Sequence, residues 1–407
     1  MDCDVAIIGA GAAGISAARA LRAAGRGVIL LEASSRVGGR AWTVEMKGLP
    51  LDMGCGWLHS AERNPLIAIA RENHFKLVEG RTAWQQQWRD LGFPAADRIA
   101  AINAWKTLTK RLRETPPQSD CAADSLEPNG RWNAFCQSLS GYLNGVDLEG
   151  LSAEDFTRYD IAASDSNWRV REGYGKLLAS SLPQVPLYLS CPVRRVAITA
   201  NGVELYTDGG HVKARAAIVT VSTAVLASEV IAFDPQADDH IQAAARLPLG
   251  LADKLFFELH GEHGLEAETH LLGNPDDTKT GSYYIRPLGR PLVEGFFGGT
   301  GAFSLEGGGL LDAFAYGLEQ LSSLLGSRIR DHLRPLAASS WRQTDYILGS
   351  YSHALPGQAA ERQTLARPIE GRIFFAGEGT NETDFSTAHG AWESGLRAAG
   401  EFLDLRH

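Results

Sequence analysis

The chain reads as an α/β protein built round a doubly wound, largely parallel sheet. Three stretches predict it: an apolar strand entering a glycine-rich turn near the N-terminus, a strand-rich return in the middle, and an apolar strand, turn and helix near the C-terminus. In the first, Val5-Ala6-Ile7-Ile8 is a buried strand by its unbroken apolar run, and Ala12 to Ala24 is a helix whose small face can press on a sheet. Between them stands Gly9-Ala10-Gly11-Ala12-Ala13-Gly14. Gly9 permits a tight turn, Gly11 lets the backbone approach a pyrophosphate, Gly14 lets helix and strand pack closely, and the helix N-terminus offers unpaired N–H groups to the anion. Gly27 to Leu31 is the second strand, and Glu32 ends it, 18 residues after Gly14. An acid that accepts ribose hydroxyls is expected roughly 20 residues on. Strand, turn, helix, second strand and acid in register specify a pocket for an adenine dinucleotide.

The next residues lengthen that site. Ala33-Ser34-Ser35-Arg36-Val37-Gly38-Gly39-Arg40 sets two arginines round a Gly-Gly turn, which suits a long cofactor whose pyrophosphate needs further donors. Alone, the same residues also read as a solvated basic turn. Glu32 through Arg40 resembles the E-x-x-x-R-x-G-G-R signature of the flavin amine oxidase superfamily, which includes monoamine, polyamine and L-amino-acid oxidases, lysine-specific histone demethylases and more distant desaturases. The resemblance implies FAD rather than NAD, held in a Rossmann-type FAD-binding domain, with an α+β substrate domain in which helices flank a sheet. It implies cofactor contacts at Gly9, Gly11, Ala13, Gly14, Glu32, Ala33, Arg36, Gly39 and Arg40, and at Met53 and Gly54 a little further on.

Strand-like pieces return at Tyr188 to Ser190, Val193 to Ile198, Val203 to Thr207 and Ala217 to Val221, with a turn at Asp208-Gly209-Gly210. By themselves they are an edge strand and a meander. In the family the equivalent stretch completes the FAD domain, and Pro192-Val193-Arg194-Arg195-Val196 resembles the segment that lays its backbone, here at Val193, against the adenine. Gly173-Tyr174-Gly175 and an apolar helix precede it. Arg372 to Glu378 then reads as a buried strand ending in Gly377-Glu378, followed by a polar loop and a helix starting near Thr387-Ala388. It resembles the family's "F-A-G-E … G-A … S-G" motif, which places Glu378 near the ribityl or pyrophosphate group. The helix start at Thr387 would then aim partial positive charge at the flavin N1–C2=O edge. Read alone, Gly377-Glu378 is a turn with a solvated acid.

Lys254 opens an alternating apolar strand in Leu247 to Phe257. Such a lysine reads as an edge residue that snorkels to water. The segment also resembles the amine oxidases' "L-P-x-G-x-x-x-K", whose lysine holds a water near flavin N5. Leu51 to His59, with Asn64-Pro65, resembles the polyamine-oxidase form "G-x-x-W-I-H-G … N-P" more than the monoamine-oxidase form. This places His59 in the substrate cavity, orienting the amine or accepting a proton with an imidazole that titrates near neutral pH. Otherwise His59 is a helix-start histidine, and Trp57 is either cavity wall or core. Trp341 and Tyr351 match aromatic positions that flank the flavin in relatives. Gly349-Ser350-Tyr351 stands where monoamine oxidases have Gly-Cys-Tyr, and Ser350 cannot form their thioether, so FAD is expected to be noncovalent. The second tyrosine of that aromatic cage has no clear match, with Phe385 or Thr387 near its place.

At 407 residues, 44% hydrophobic and 21% charged, the chain has room for two domains with a sizeable core. The net charge of −9 argues against nucleic-acid or anionic-membrane partners. No apolar run is long enough to span a bilayer and the first strand follows almost at once on the start, so a cytoplasmic location is expected. Five scattered cysteines, without CxxC or Cys/His clusters, support neither disulfides nor a metal site. The resemblance implies an FAD-binding domain from residues 1–77, 172–248 and 341–407 and a substrate domain from 78–171 and 249–340. It implies oxidation of a small-molecule amine at its C–N bond: hydride passes from the α C–H to flavin N5, the imine hydrolyses, and O2 reoxidises the flavin to give hydrogen peroxide. An L-amino-acid oxidase would need an arginine for the substrate carboxylate, with Arg286 and Arg342 available. A desaturase-type or non-oxidase flavoprotein would keep every FAD motif and make no peroxide.

Overall fold

The computed structural model describes residues 2–80, 82, 84 and 87–405. Its larger sheet has eight strands, and the middle is parallel because these short apolar runs are buried on both faces. Cys3–Ile8 pairs in parallel with Val28–Leu31 on one side and Gly210–Val219 on the other, and Leu187–Tyr188 and Ile373–Phe375 extend the block. Val193–Thr199, Gly202–Thr207 and Gly210–Val219 form the expected meander, with Ala232–Asp234 beyond it. Alternation along each strand feeds two cores. Val5, Ile7, Val28, Leu30 and Phe374 pack under the helices Ala12–Ala23 and Ala388–Asp404. Ala6, Ile8, Ile29, Leu31 and Phe375 pack on the other face with Leu226, Ala243 and Ala244. The fold class is therefore the predicted one, a sheet wound on both sides.

The helices Ala12–Ala23 and Ala388–Asp404 touch backbone to backbone. A Cβ on Gly395 would lie 2.1 Å from the Ala13 carbonyl oxygen, and the Ser16 hydroxyl donates to the Trp392 carbonyl at 2.7 Å. This contact sets both helix starts beside the carboxyl ends of the parallel strands, where open α/β sheets bind ligands.

The second sheet is antiparallel, in the order Thr269–Leu272, Ser282–Ile285, Leu292–Gly298, Ala252–Leu259 and Leu333–Ala338. Ala252–Leu259 has a partner on each side, so Lys254 stands on an interior strand and is 6% exposed; it does not snorkel from an edge. The helices Thr300–Gly308 and Leu310–Leu325 pack with this sheet, as Phe257 against Phe314 at 5.3 Å shows. The hairpin Thr43–Met46 and Leu49–Asp52 lies early in the chain, yet Leu51 and Met53 belong to this second core. The helix Asn133–Asn144 docks where Gly141 meets Gly298; a Cβ on Gly298 would fall 2.0 Å from the Gly141 carbonyl oxygen. All five cysteines are free, and among the described residues no helix is long and apolar enough to cross a membrane.

Candidate active site

One cavity of about 800 Å³ runs from the carboxyl ends of the parallel strands into the second sheet and its helices. Its first part is the glycine-rich turn. Gly9 has φ +103°, and a Cβ there would meet the Thr220 hydroxyl at 2.5 Å, while Gly14 takes the Gly9 carbonyl so closely that a Cβ would lie 1.9 Å from its oxygen. Gly11 differs: a Cβ there would meet nothing within 4 Å, so the cavity comes up to bare backbone. Gly11 caps the helix without any side-chain hydrogen bond, leaving its first N–H groups free for an anion. These observations fit a dinucleotide pyrophosphate.

Glu32 is 7% exposed, lines the cavity and is held in place by the Ala10 N–H at 2.6 Å and the Ser34 N–H at 2.8 Å. Ala13, Ala33, Gly39, Arg40, Met53, Gly54, Val193, Gly377, Thr387 and Ala388 also line it. Two predicted contacts do not. Gly14 lets the helix close on the turn, where a Cβ would collide with the Gly9 carbonyl. Arg36 donates through Nη1 to the Gly39 carbonyl at 2.8 Å and lies 4.5 Å from the Trp42 ring, so it fastens the Gly-Gly turn that borders the cavity.

Glu378 borders the cavity, but both its oxygens are filled by protein donors. Oε1 accepts from Arg40 at 2.9 Å and from the Ser352 N–H at 3.2 Å; Oε2 accepts from the Ser352 hydroxyl at 2.6 Å and the Ser386 N–H at 2.9 Å. Burial would raise this acid, but Arg40, Arg362 and these hydrogen bonds hold it below the usual carboxylate range. Glu378 therefore acts as a hub that aims Arg40 and the loop before Thr387. Thr387 caps its helix, accepting from the Gly390 N–H at 3.0 Å. Behind the hub, Arg362 and Asp155 form a two-pronged ion pair at 2.7 Å in both arms, with both side chains 0% exposed.

At the far end the side chains predicted for chemistry come together. Lys254 Nζ donates to the Asp52 carbonyl at 2.8 Å and pairs with Glu294 at 2.9 Å. Trp341 is 3% exposed and donates through Nε1 to the Met53 carbonyl at 3.2 Å, and the Tyr351 hydroxyl donates to the Tyr142 carbonyl at 2.5 Å. Ser350 Oγ is locked between the N–H and C=O of Ala252, each at 2.8 Å. Cys55 is a cavity thiol that the motifs did not single out, and burial raises its pKa, which keeps it protonated.

His59 faces the cavity with Nδ1 2.6 Å from Asn167 Oδ1, and the Asn167 amide group donates elsewhere, to the Asp165 carbonyl. Nδ1 is thus the donor and Nε2 carries a lone pair. Burial pushes its pKa down to about 4, so the imidazole is neutral at neutral pH rather than titrating there. The Asn64 side chain donates to the His59 carbonyl at 2.9 Å and caps the next helix, which explains the Asn-Pro pair. Trp57 is cavity wall, 4.4 Å from Trp84. Phe385, Arg286 and Arg342 do not line the cavity: Phe385 stacks under Arg362 at 3.6 Å, Arg286 donates to the Leu265 carbonyl, and Arg342 lies over Phe303.

Trp341 rests on a buried carboxyl pair. Asp253 Oδ1 accepts from the Ser339 hydroxyl and the Trp341 N–H, whereas Asp253 Oδ2 and Glu306 Oε2 are buried with no hydrogen-bond partner. Burial first, and Glu306 second, push Asp253 up to about 8. The folded chain thus keeps a proton that the unfolded chain loses above the ordinary aspartate value of 3.8, and stability falls as pH rises from there toward 8, then levels. Asp253→Asn should flatten that part of a melting-midpoint profile; an unchanged slope would remove Asp253 as its source.

A sequence model of the family "Flavin containing amine oxidoreductase" matches residues 12–98 and 101–403. Lysine-specific histone demethylase 1 homolog 3 of Oryza sativa subsp. japonica is 28% identical over 437 aligned positions, covering 97% of this chain and 53% of that protein. The chain thus spans about half the length of that relative. Polyamine oxidase 3 of the same plant is 27% identical, covering 97% of this chain and 88% of its own. Two solved folds are similar: cyclohexylamine oxidase from Brevibacterium oxydans IH-35A (TM-score 0.80, 21% identity, 99% of each chain) and wild-type putrescine oxidase bound to putrescine (TM-score 0.78, 21% identity, 100% of each chain). With the family's sequence pattern matched over almost its whole length, the chain belongs to the flavin-containing amine oxidoreductases.

Proposed function

We propose that this chain is an amine oxidase using noncovalently bound FAD and O2. One observation carries the reading: a single cavity joins a dinucleotide cradle at Gly11 and Glu32 to Lys254, His59 and an aromatic wall. Glu32 would hold the adenosine ribose, the N–H groups after Gly11 the pyrophosphate, Val193 the adenine, and Arg40 and the Thr387 helix start the flavin end. The relatives' names, amine and polyamine oxidases among them, support an amine as substrate. The chemistry that bound flavin supplies is acceptance of a hydride from an amine α C–H, return of the electrons to dioxygen as hydrogen peroxide, and release of an imine that hydrolyses.

The chain's own groups orient the amine and set its protonation. His59 Nε2, unprotonated, can accept an amine N–H but cannot repel a cation. Lys254 spends two donors on Asp52 and Glu294 and has one left for a water. Trp341 and Tyr351 are pinned by backbone acceptors, so they present fixed faces to a ligand. With Ser350 in place of a cysteine and the Cys55 thiol protonated, neither offers a thiolate for a covalent flavin link.

The test is anaerobic mixing of the purified yellow protein with a panel of amines and L-amino acids, with peroxide assayed on admitting air. Amines should bleach the flavin, and reduction should quicken with pH as the bound amine loses its proton, across roughly pH 6 to 10. Acid precipitation should release FAD into the supernatant. Bleaching by L-amino acids alone, or a flat pH profile, would contradict the reading.

A further inference from the structure

We propose that the substrate is a monoamine with a bulky apolar body rather than a polyamine; this rests on the amine-oxidase reading and narrows it. The observation is the composition of the cavity beyond Lys254. Two helices point one face each into it. Asn133–Asn144 contributes Phe135, Leu139, Tyr142 and Leu143, and Ala95–Glu114 contributes Ile102 and Trp105, both sets at helical spacing. Leu272 and Phe296 close the space from the sheet.

Such stripes normally vanish into a core. Here they do so only in part: Phe135 and Leu272 sit in a small core with Trp105, Leu139 and Tyr142 packed against it, but Ile102 is 45% and Leu143 46% exposed, and Trp84, also on the wall, is 42% exposed. An apolar ligand body would cover them.

The charges say the same. Each further ammonium of a polyamine needs a carboxylate once it leaves water, or its burial is heavily penalised. Among the described residues that line this part, the acids are Glu294 and Asp165. Glu294 is neutralised by Lys254 at 2.9 Å, and Asp165 is an exposed loop residue whose carbonyl accepts from the Asn167 amide. Arg98 adds a positive charge to the wall, partly offset by Asp90 at 2.8 Å. The histidines give no help: His59 and His270 are each pushed down to about 4 by burial and stay neutral. Glu382 and Asp384, loop acids that might have drawn a polycation, face other partners; Asp384 is held by Arg63 and His389, and Glu382 by Arg158 and Gln363.

Matched substrates test this on the native holoenzyme. Hexylamine and 1,5-diaminopentane have the same length and differ by an ammonium in place of a methyl. Second-order flavin reduction by hexylamine, and by cyclohexylamine or benzylamine, should exceed that by the diamine about 100-fold or more. Leu139→Asp, which adds a carboxylate to the apolar face, should narrow the gap about tenfold. A diamine or spermidine that reduces the flavin as fast as the monoamines overturns the proposal while leaving the amine-oxidase reading standing. If no amine bleaches the flavin, both fall.

Discussion

Arg362→Met is expected to lower the stability of the folded chain by about 3–5 kcal/mol, because it strands a buried carboxylate. Asp155 is 0% exposed, accepts both arms of Arg362 and the Ala354 N–H, and would keep one of its three charged or polar supports. Total stabilities of domains are only about 5–15 kcal/mol, so the loss is large. It is also directional. Arg362 Nη1 donates to the Ser352 hydroxyl at 2.9 Å, and that hydroxyl donates to Glu378, which holds Arg40 at the cavity. The variant should therefore release FAD more readily at temperatures where it is still folded. A second variant, Asp155→Leu with Arg362→Met, removes both charges and should recover part of the melting temperature. Equal melting of the single variant and the native chain would show that the pair is not doing what its burial implies.

Lys254→Met should leave FAD content intact and slow turnover about 10²–10⁴-fold, the range of a positioned proton-handling group. Beside it, Trp341 Nε1 and the Tyr351 hydroxyl are committed to backbone carbonyls. Removing the ammonium also leaves Glu294 without its 2.9 Å partner, so Lys254→Met with Glu294→Gln separates loss of the lysine from the stray carboxylate. Reduction by amine and reoxidation by oxygen should be timed separately. A role in holding a water for reoxidation shows in the second half-reaction; turnover within about threefold of native would discard Lys254 as a functional group.

The local motifs were readable because one stretch of backbone carries each. Gly9 to Gly14, Glu32 and the Thr387 helix start need only their neighbours to adopt their conformations, and all three meet at the cavity. Lys254 was placed by its segment, but its burial followed from the strand's two neighbours, which no local pattern gives. The bond from Arg36 to the Gly39 carbonyl of its own turn is not given by the motif that holds both residues. What local sequence does not carry is the partner that arrives from elsewhere in the chain. Glu378 borders the cavity as its motif implies, but its donors, Arg40, Ser352 and Ser386, arrive from three places in the chain and no local pattern gives them. The Asp155–Arg362 pair joins positions 207 residues apart with no motif at either end. His59 was placed on the cavity, while its charge state depended on burial and on Asn167, 108 residues away. The stripe Phe135, Leu139, Tyr142, Leu143 was legible as one helix face, and only the docking of Gly141 on Gly298 decides that it looks into the cavity.

In the proposed reaction an amine gives its α-hydrogen to a flavin held in this cavity. The most direct measurement is anaerobic stopped-flow absorbance near 450 nm with benzylamine and with its α,α-dideuterated form. Bleaching is expected in a single exponential phase that saturates with amine and is slowed several-fold by deuterium, followed by peroxide when air is admitted. A flavin that stays oxidised, or bleaching indifferent to deuterium at saturating amine, would contradict it.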